Sequence, residues 1–170
     1  MTTPLPPESP TRRVWRDPAV LLATCGGLGG IPVAPGTFGA LAGLVAATAL
    51  AHGGLPRGAE VLILTAVNLL GVAACDRATR LLGRGEDPGA IVLDEAASLP
   101  LALLVVPCAS RSPAILAAAF VLHRLFDISK PFPCRRLEHL PGGLGIMADD
   151  WGAAAYTASC LAIGRWLGWL

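Results

Sequence analysis

The sequence predicts an all-α fold, a compact bundle of short helices that are partly embedded in a membrane. Apolar residues make up 54% of the 170 positions and charged residues only 15%, against roughly 25% charged residues in ordinary soluble domains. So few charges cannot cover the surface of a water-soluble domain of this size, and the mean hydropathy is +0.60. No stretch alternates apolar and polar residues with the period of two that is typical of a half-buried strand.

The first 18 residues are predicted to form a disordered tail, and residues 19–170 a single helical domain. The tail, MTTPLPPESPTRRVWRDP, is rich in proline and polar residues. Residues 19–37 then contain five glycines and two prolines, which make a continuous helix costly. A short helix followed by a structured loop is expected there.

Three apolar segments, residues 38–51, 61–75 and 151–170, predict helices. A spanning helix needs about 20 residues, because 1.5 Å per residue must cross roughly 30 Å of hydrocarbon. The segment at 61–75 reaches that length only if it extends toward Leu82, whereas the last segment reaches it directly. Composition therefore indicates a membrane, while most segment lengths indicate a compact bundle.

Two further apolar segments, residues 96–109 and 114–122, are shorter. Pro100 and Pro107 interrupt the first of them, and proline disfavours a helix interior. These segments are expected to form either a hairpin of short tilted helices or a partly buried core.

The positive charges indicate the orientation. If the tail, residues 76–95 and residues 123–150 share one side, that side carries ten basic residues, and the opposite turns carry only Arg57 and Arg111. Positive charge is typically retained on the cytoplasmic side of a membrane, so the polar motifs are expected to face the cytoplasm. The ten are Arg12, Arg13, Arg16, Arg77, Arg80, Arg84, Arg124, Lys130, Arg135 and Arg136.

Composition also excludes some functions. The net charge is +1 and no basic stripe is interleaved with aromatic residues, so no nucleic-acid partner is expected. The five cysteines are widely spaced and form no CxxC pair, which argues against a disulfide framework or a zinc site and predicts reduced thiols. The sequence predicts no particular oligomeric state.

The first polar motif is the glycine-rich stretch GGIPVAPGT, residues 29–37. Pro35 and Gly36 suit the central positions of a type II turn, and Thr37 is placed to cap the helix that follows. Exposed amides at a helix N-terminus can bind an anion such as phosphate. A plain turn and helix cap is the alternative.

The second motif is the pair Asp94 and Glu95, set between apolar segments. Uncompensated carboxylates near membrane depth are costly, so acids at such positions are candidates for a function. Adjacent helix residues point about 100° apart, so both can face one ion only if one side chain reaches around. The alternative is that they favour a helix start through the macrodipole.

The third motif runs from residue 123 to residue 151. Arg124 and Asp127 are three apart and share a helix face, and Lys130 precedes a proline that should end that helix. Residues 142–145 are expected to form a flexible loop, after which Asp149 and Asp150 open the last helix; an N-cap is their alternative role. His123 is a possible acid or base but more simply a structural residue.

Together these motifs place five carboxylates and two cations on one side of the chain. Carboxylates suit Mg²⁺, a hard ion that prefers oxygen ligands. Carboxylates for a metal ion and cations for a phosphate are the parts of a metal-assisted phosphoryl-transfer site. The candidate metal ligands are Asp94, Glu95, Asp127, Asp149 and Asp150, with Arg124 and Lys130 as the cations.

Four motifs, in order along residues 24–156, resemble those of the phosphatidylglycerophosphatase A family. They are GGIPVAPGTFGAL, AIVLDEAASL, FVLHRLFDISKPFP and GGLGIMADDWGA. The resemblance implies a Mg²⁺-dependent hydrolase in the bacterial inner membrane. Its lipid substrate would be phosphatidylglycerophosphate, which loses its terminal phosphate at the cytoplasmic face of the bilayer to give phosphatidylglycerol.

Carried onto this chain, the resemblance implies catalytic roles for Asp127, Lys130, Asp149 and Asp150. Phosphate binding would fall to Lys130 and Arg124, with Pro35, Gly36 and Thr37. Water is the favoured nucleophile, and an aspartyl-phosphate at Asp127 or Asp149 is left open. Two alternatives remain: a phosphatase of a soluble phosphoester, and a non-catalytic membrane or lipid-binding component.

Overall fold

The computed structural model describes residues 14–83 and 89–169, and within these ranges it contains helices and no strand. The all-α prediction is confirmed. Short 3₁₀ turns lie at Leu28–Gly30, Leu103–Val105 and Cys108–Ser110. The helices of the described residues are α1 (Pro18–Ala23), α2 (Pro35–His52), α3 (Arg57–Leu82), α4 (Leu93–Ala102), α5 (Pro113–Ser129), α6 (Cys134–Leu137) and α7 (Gly143–Trp166).

The short helix α4 lies at the centre of the bundle, in contact with α2, α3 and α7. Leu99, Leu103 and Val106 are fully buried. Of the two expectations for residues 96–109, the buried core is therefore the one the structure shows. Burial removes these side chains from solvent or lipid and fixes the second half of α4 and the turn after it against their neighbours.

Helices α2 and α3 are long and apolar enough to cross a membrane. Helix α3 has 26 residues and is about 39 Å long at 1.5 Å per residue. It extends to Leu82, which gives it the length that a spanning helix requires. Leu62, Leu69 and Leu70 are each 63–70% exposed on it. An outward face of this kind suits contact with lipid.

The polar motifs meet at one end of the bundle, which we call the site end. It comprises the N-termini of α2, α4 and α7 and the C-termini of α3 and α5. Two close approaches connect these termini: Gly36 lies against Glu95, and Gly142 lies against Asp76. At the surface nearby, Arg77 of α3 forms an ion pair with Asp17 at the start of α1. Of the ten basic residues counted above, Arg12, Arg13 and Arg84 lie outside the described residues.

The opposite, far end holds the turns at residues 53–56 and 103–112. Two of its arginines pair with Glu60: the Arg111 Nη2–Glu60 Oε1 distance is 2.6 Å and the Arg57 Nη1–Glu60 Oε2 distance is 2.8 Å. The Arg111 side chain is only 2% exposed, and it also donates to the carbonyls of Val106 and Leu103. The buried charge of Glu60 is therefore compensated within the protein.

Helix α7 begins at Gly143, so the expected flexible loop before Asp149 was wrong. The aspartates lie about two turns inside the helix, and Gly142 is the N-cap. The glycines are needed for close packing: a Cβ on Gly143 would overlap the Val72 carbonyl of α3, and one on Gly145 would overlap the Leu140 carbonyl. Close approach, rather than flexibility, explains these glycines.

The expected type II turn at Pro35-Gly36 was also wrong. Pro35 is the first residue of α2, where its missing N–H costs nothing, and the left-handed residue is Ala34, with φ of 49°. The Thr37 N–H donates to the Ala34 carbonyl at 2.9 Å. Thr37 therefore lies in the first turn of the helix and does not cap it.

Residues 1–13 of the predicted tail lie outside the described residues. Val14 and Trp15 pack against the core formed by α1, α3 and α7, and Asp17 caps α1 by accepting from the Ala19 N–H at 3.0 Å. Packing therefore extends back to Val14. All five cysteines are free, as expected, and Cys75 and Cys134 are buried.

Candidate active site

Three of the predicted carboxylates converge at the site end. Asp94 and Glu95 occupy the first turn of α4, and Asp150 faces them from α7. One carboxylate oxygen of each residue lies within 4.8 Å of the other two. We call Asp94, Glu95 and Asp150 the carboxylate trio. The longer Glu95 side chain lets two neighbouring helix positions contribute to one cluster.

Burial disfavours negative charge on the trio unless a cation is bound. Asp94 is 8% exposed and Asp150 is 1% exposed. Burial, followed by repulsion from neighbouring carboxylates, raises the pKa of both groups well above the usual range. Asp94 Oδ1, Glu95 Oε2 and Asp150 Oδ1 are buried without a hydrogen-bond partner. Three carboxylates that approach this closely, each with one unpartnered oxygen, fit a divalent cation such as Mg²⁺.

Arg124 connects the trio to Asp127. Its guanidinium forms an ion pair with Asp127, one helical turn along α5, and Arg124 Nη1 lies 3.4 Å from Glu95 Oε1. The spacing of three residues predicted the first of these contacts. Arg124 Nε is buried and unpartnered, so this guanidinium retains a donor for an anion. Asp127 therefore lies beside the trio, in an ion pair with Arg124.

The N-terminus of α2 closes another side of the site. A Cβ on Gly36 would overlap the Glu95 carboxylate and lie 3.1 Å from Arg124 Nη1. Only glycine allows this approach. The Gly36 N–H, in the first helical turn, has no intrahelical acceptor, so the positive end of α2 is directed at the same place as Arg124.

Lys130 lies on the remaining side. Helix α5 ends at Ser129, as the following proline predicted, and Lys130 adopts a left-handed conformation with φ of 44°. Its Nζ lies 2.8 Å from Asp149 Oδ2 and 3.1 Å from Glu138 Oε1. Although burial lowers the pKa of Lys130, these two carboxylates raise it overall, so the amine stays charged.

Glu138 is a contact that sequence reasoning missed. It lies eight residues after Lys130, across a connection that contains α6 and two prolines, so no helical spacing relates the two residues. His123 also differs from the other candidates. It is fully buried, and its Nε2 is 2.9 Å from the Ser98 hydroxyl. This pair lies between α4 and α5, which indicates a packing role.

The predicted site residues therefore all lie at the site end, where α2, α4, α5 and α7 meet. The trio can hold a cation, and Arg124, Lys130 and the Gly36 amide can hold an anion beside it. A cavity of about 670 Å³ lined by His52, Cys108 and Arg111 is at the far end. It is separated from the trio by the length of α2, about 27 Å, and takes no part in this arrangement.

Known proteins resemble the chain over most of its length. The sequence model of the family described as Phosphatidylglycerophosphatase A matches residues 21–165. The chain is 41% identical to a Phosphatidylglycerophosphatase A from Haemophilus influenzae, over 89% of this chain and 91% of the relative. It is 33% identical to the protein of that name from Escherichia coli, over 89% of this chain and 86% of the relative.

A third relative has a different name. The chain is 39% identical to a protein from Bacteroides thetaiotaomicron, over 87% of this chain and 94% of the relative. That protein carries a provisional name as a phosphatidylinositol-3-phosphatase. No solved structure matches the chain. The names of all three relatives refer to a phosphate on a lipid headgroup.

Proposed function

Because the chain belongs to the phosphatidylglycerophosphatase A family, we propose that it hydrolyses the terminal phosphate of phosphatidylglycerophosphate, giving phosphatidylglycerol for phospholipid synthesis. The observation that supports this most strongly is the carboxylate trio with its three unpartnered oxygens. Arg124 and Lys130 stand beside it. In a purely structural lipid-binding component, buried carboxylates without a partner would only cost free energy.

We propose that Asp94, Glu95 and Asp150 hold Mg²⁺. When bound, the ion would supply positive charge that stabilises a transferring phosphoryl group. Asp127 and Asp149 were also expected to be ligands, and both form ion pairs with cations. Their proposed role is to hold Arg124 and Lys130 in place for the phosphate.

The terminal phosphate would then be bound by charged and backbone groups of the chain. Arg124 offers a planar guanidinium that suits phosphate oxygens, Lys130 offers a fixed ammonium, and Gly36 offers an amide at the N-terminus of α2. Water is the proposed nucleophile. The ion pairs of Asp127 and Asp149 reduce the nucleophilicity of their carboxylates, which disfavours an aspartyl-phosphate.

We further propose that the protein lies in the bacterial inner membrane with the site end facing the cytoplasm. The apolar outer face of α3 supports contact with lipid. The excess of basic residues at the site end supports the orientation. In this position the terminal phosphate of a lipid in the inner leaflet would reach the trio without leaving the bilayer surface.

The name of the Bacteroides relative supplies a second candidate substrate, phosphatidylinositol 3-phosphate. It shares with phosphatidylglycerophosphate a phosphomonoester on the headgroup of a glycerophospholipid. A soluble phosphoester is a third candidate, which the apolar surface of α3 disfavours.

Phosphate release from these three kinds of substrate tests the proposal. The lipids are supplied in micelles of a non-ionic detergent, and glycerol 3-phosphate serves as the soluble phosphoester. We expect Mg²⁺-dependent release that is fastest from phosphatidylglycerophosphate and is abolished by EDTA. Faster turnover of either other substrate would refute the assignment, and undiminished activity in EDTA would refute the metal.

An acid-to-amide pair of variants serves as the control. Asp150→Asn should abolish release, because it removes one member of the trio. Asp17→Asn changes the same functional group at the start of α1, where asparagine caps a helix equally well. It also removes the exposed ion pair with Arg77, and exposed pairs contribute little to stability. This variant should retain wild-type turnover, and a loss in both variants would point to misfolding.

A further inference from the structure

A basic groove adjoins the candidate active site and is not used by the chemistry described above. Its volume is about 500 Å³. It lies where the chain leaves α5 and forms α6. The residues that line it are Lys130, Phe132, Arg135, Arg136 and His139.

The groove is built on a fixed support. The buried Cys134 of α6 packs on α7, where a Cβ on Gly152 would lie 2.6 Å from its Sγ. The Tyr156 hydroxyl of α7 donates to the Phe132 carbonyl at 2.5 Å. These contacts hold α6 and the preceding connection against the helix that carries Asp150.

Two of the basic residues in the groove carry charge that the described residues do not compensate. Arg135 and Arg136 are exposed, and neither forms an ion pair with a residue in the described parts of the chain. The guanidinium of Arg136 lies 4.9 Å from the centre of the Phe132 ring, which orients it by a cation–π contact. The nearby acid, Glu138, is paired with Lys130. A groove with these properties attracts an anion.

Lys130 is common to the groove and the active site. It lines the groove, and its Nζ lies 2.8 Å from Asp149, the neighbour of Asp150. An anion in the groove and a phosphate at the trio would therefore lie on two sides of one lysine. The arrangement suits a molecule that carries two phosphate groups joined by a short linker.

We propose that this groove binds the phosphodiester of the lipid substrate, the phosphate that is not hydrolysed. The inference rests on the proposed function. Phosphatidylglycerophosphate and phosphatidylinositol 3-phosphate both carry such a diester between the headgroup and the diacylglycerol. Guanidinium groups bind phosphate oxygens through two parallel hydrogen bonds. Phe132 is 68% exposed, and aromatic side chains are typical of the membrane–water interface, where the diester lies.

The groove would thus select glycerophospholipids that bear a phosphomonoester over soluble molecules with one phosphate. The first test is the KM for phosphatidylglycerophosphate in non-ionic micelles, which present no anionic surface. The double variant Arg135→Gln/Arg136→Gln should raise KM about tenfold, because two charge-assisted contacts are lost. The double variant Arg77→Gln/Arg80→Gln removes the same charge from the same end of the bundle and should leave KM unchanged.

The second test measures binding without catalysis. Short-chain phosphatidylglycerol, kept below its micelle concentration, carries the diester and no terminal phosphate. Titration calorimetry should give a Kd about tenfold higher for Arg135→Gln/Arg136→Gln than for the wild type and for Arg77→Gln/Arg80→Gln. Equal affinity of all three proteins, or no binding by the wild type, would overturn the inference.

The two tests separate the groove from the proposed function. If the wild type binds short-chain phosphatidylglycerol through the groove but releases no phosphate, the proposed reaction fails and the diester site stands. If the wild type releases phosphate and the groove variants match it in both KM and Kd, the reaction stands and the diester site fails. An effect of equal size in Arg77→Gln/Arg80→Gln would reduce the groove to general charge attraction and overturn the proposal.

Discussion

The contact between α2 and Glu95 gives a sharp prediction for Gly36→Ala. The added Cβ would overlap the Glu95 carboxylate, whereas real Cβ atoms keep about 3.0 Å from other heavy atoms, so that carboxylate must move by about 1 Å. A displacement of 1 Å in an active site can cost about 100-fold in rate, equivalent to about 2.7 kcal/mol at 1.36 kcal/mol per factor of ten. We expect kcat/KM for the lipid to fall about 100-fold.

Folding should survive this change. Alanine is favoured over glycine inside a helix by about 1 kcal/mol, which offsets part of the strain, so the midpoint of thermal unfolding should stay near that of the wild type. Gly58→Ala is the matched control, because a Cβ on Gly58 of α3 meets nothing within 4 Å. Phosphate release by Gly36→Ala within threefold of the wild type would refute the reasoning, as would an equal loss in Gly58→Ala.

Two further predictions concern the acids beside the trio and the far end. Asp127→Asn and Asp149→Asn should each lower phosphate release at saturating Mg²⁺ at least 100-fold with circular dichroism unchanged, since each removes the shorter of the two ion pairs that hold a phosphate-binding cation. Wild-type turnover by either variant would contradict this role. Arg111→Met should lower the free energy of unfolding by about 3 kcal/mol, because it removes a buried partner of Glu60. Denaturant titration in detergent measures this, and a loss below about 1 kcal/mol would show the buried pair to be unimportant.

The helices themselves followed from the sequence because apolar segments must be buried or face lipid. The end of α5 was predictable because Pro131 prevents the helix from continuing past Lys130. The pairing of Arg124 with Asp127 was predictable because residues three apart meet on a helix surface. Each of these predictions depends on interactions between neighbours along the chain.

The starts of α2 and α7 were not predictable from local rules. Glycines at positions 142–145 have the composition of a loop, but Gly143 and Gly145 are required because α7 passes very close to the backbones of Val72 and Leu140. A sequence pattern does not distinguish a glycine needed for its backbone angles from one needed for its missing side chain. Only the packing partner, more than 70 residues away in the case of Val72, decides between them.

The candidate site was predictable as a set of residue types rather than as an arrangement. Five acids on one side of a weakly charged chain indicated a cation site. Which acids share a cation depends on how α4 and α7 cross, and this placed Asp94, Glu95 and Asp150 together and left Asp149 with Lys130. The pairing of Lys130 with Glu138, and of Arg111 with Glu60, likewise depends on contacts that no local spacing encodes.

The central claim is that the trio binds a divalent cation, and Mn²⁺ binding followed by electron paramagnetic resonance tests it most directly. Mn²⁺ is a suitable probe because it shares the preference of Mg²⁺ for carboxylate oxygens. The wild type and Asp17→Asn should bind Mn²⁺ that Mg²⁺ displaces, and Asp150→Asn should bind it at least tenfold more weakly. Equal Mn²⁺ affinity in Asp150→Asn and the wild type would contradict the account.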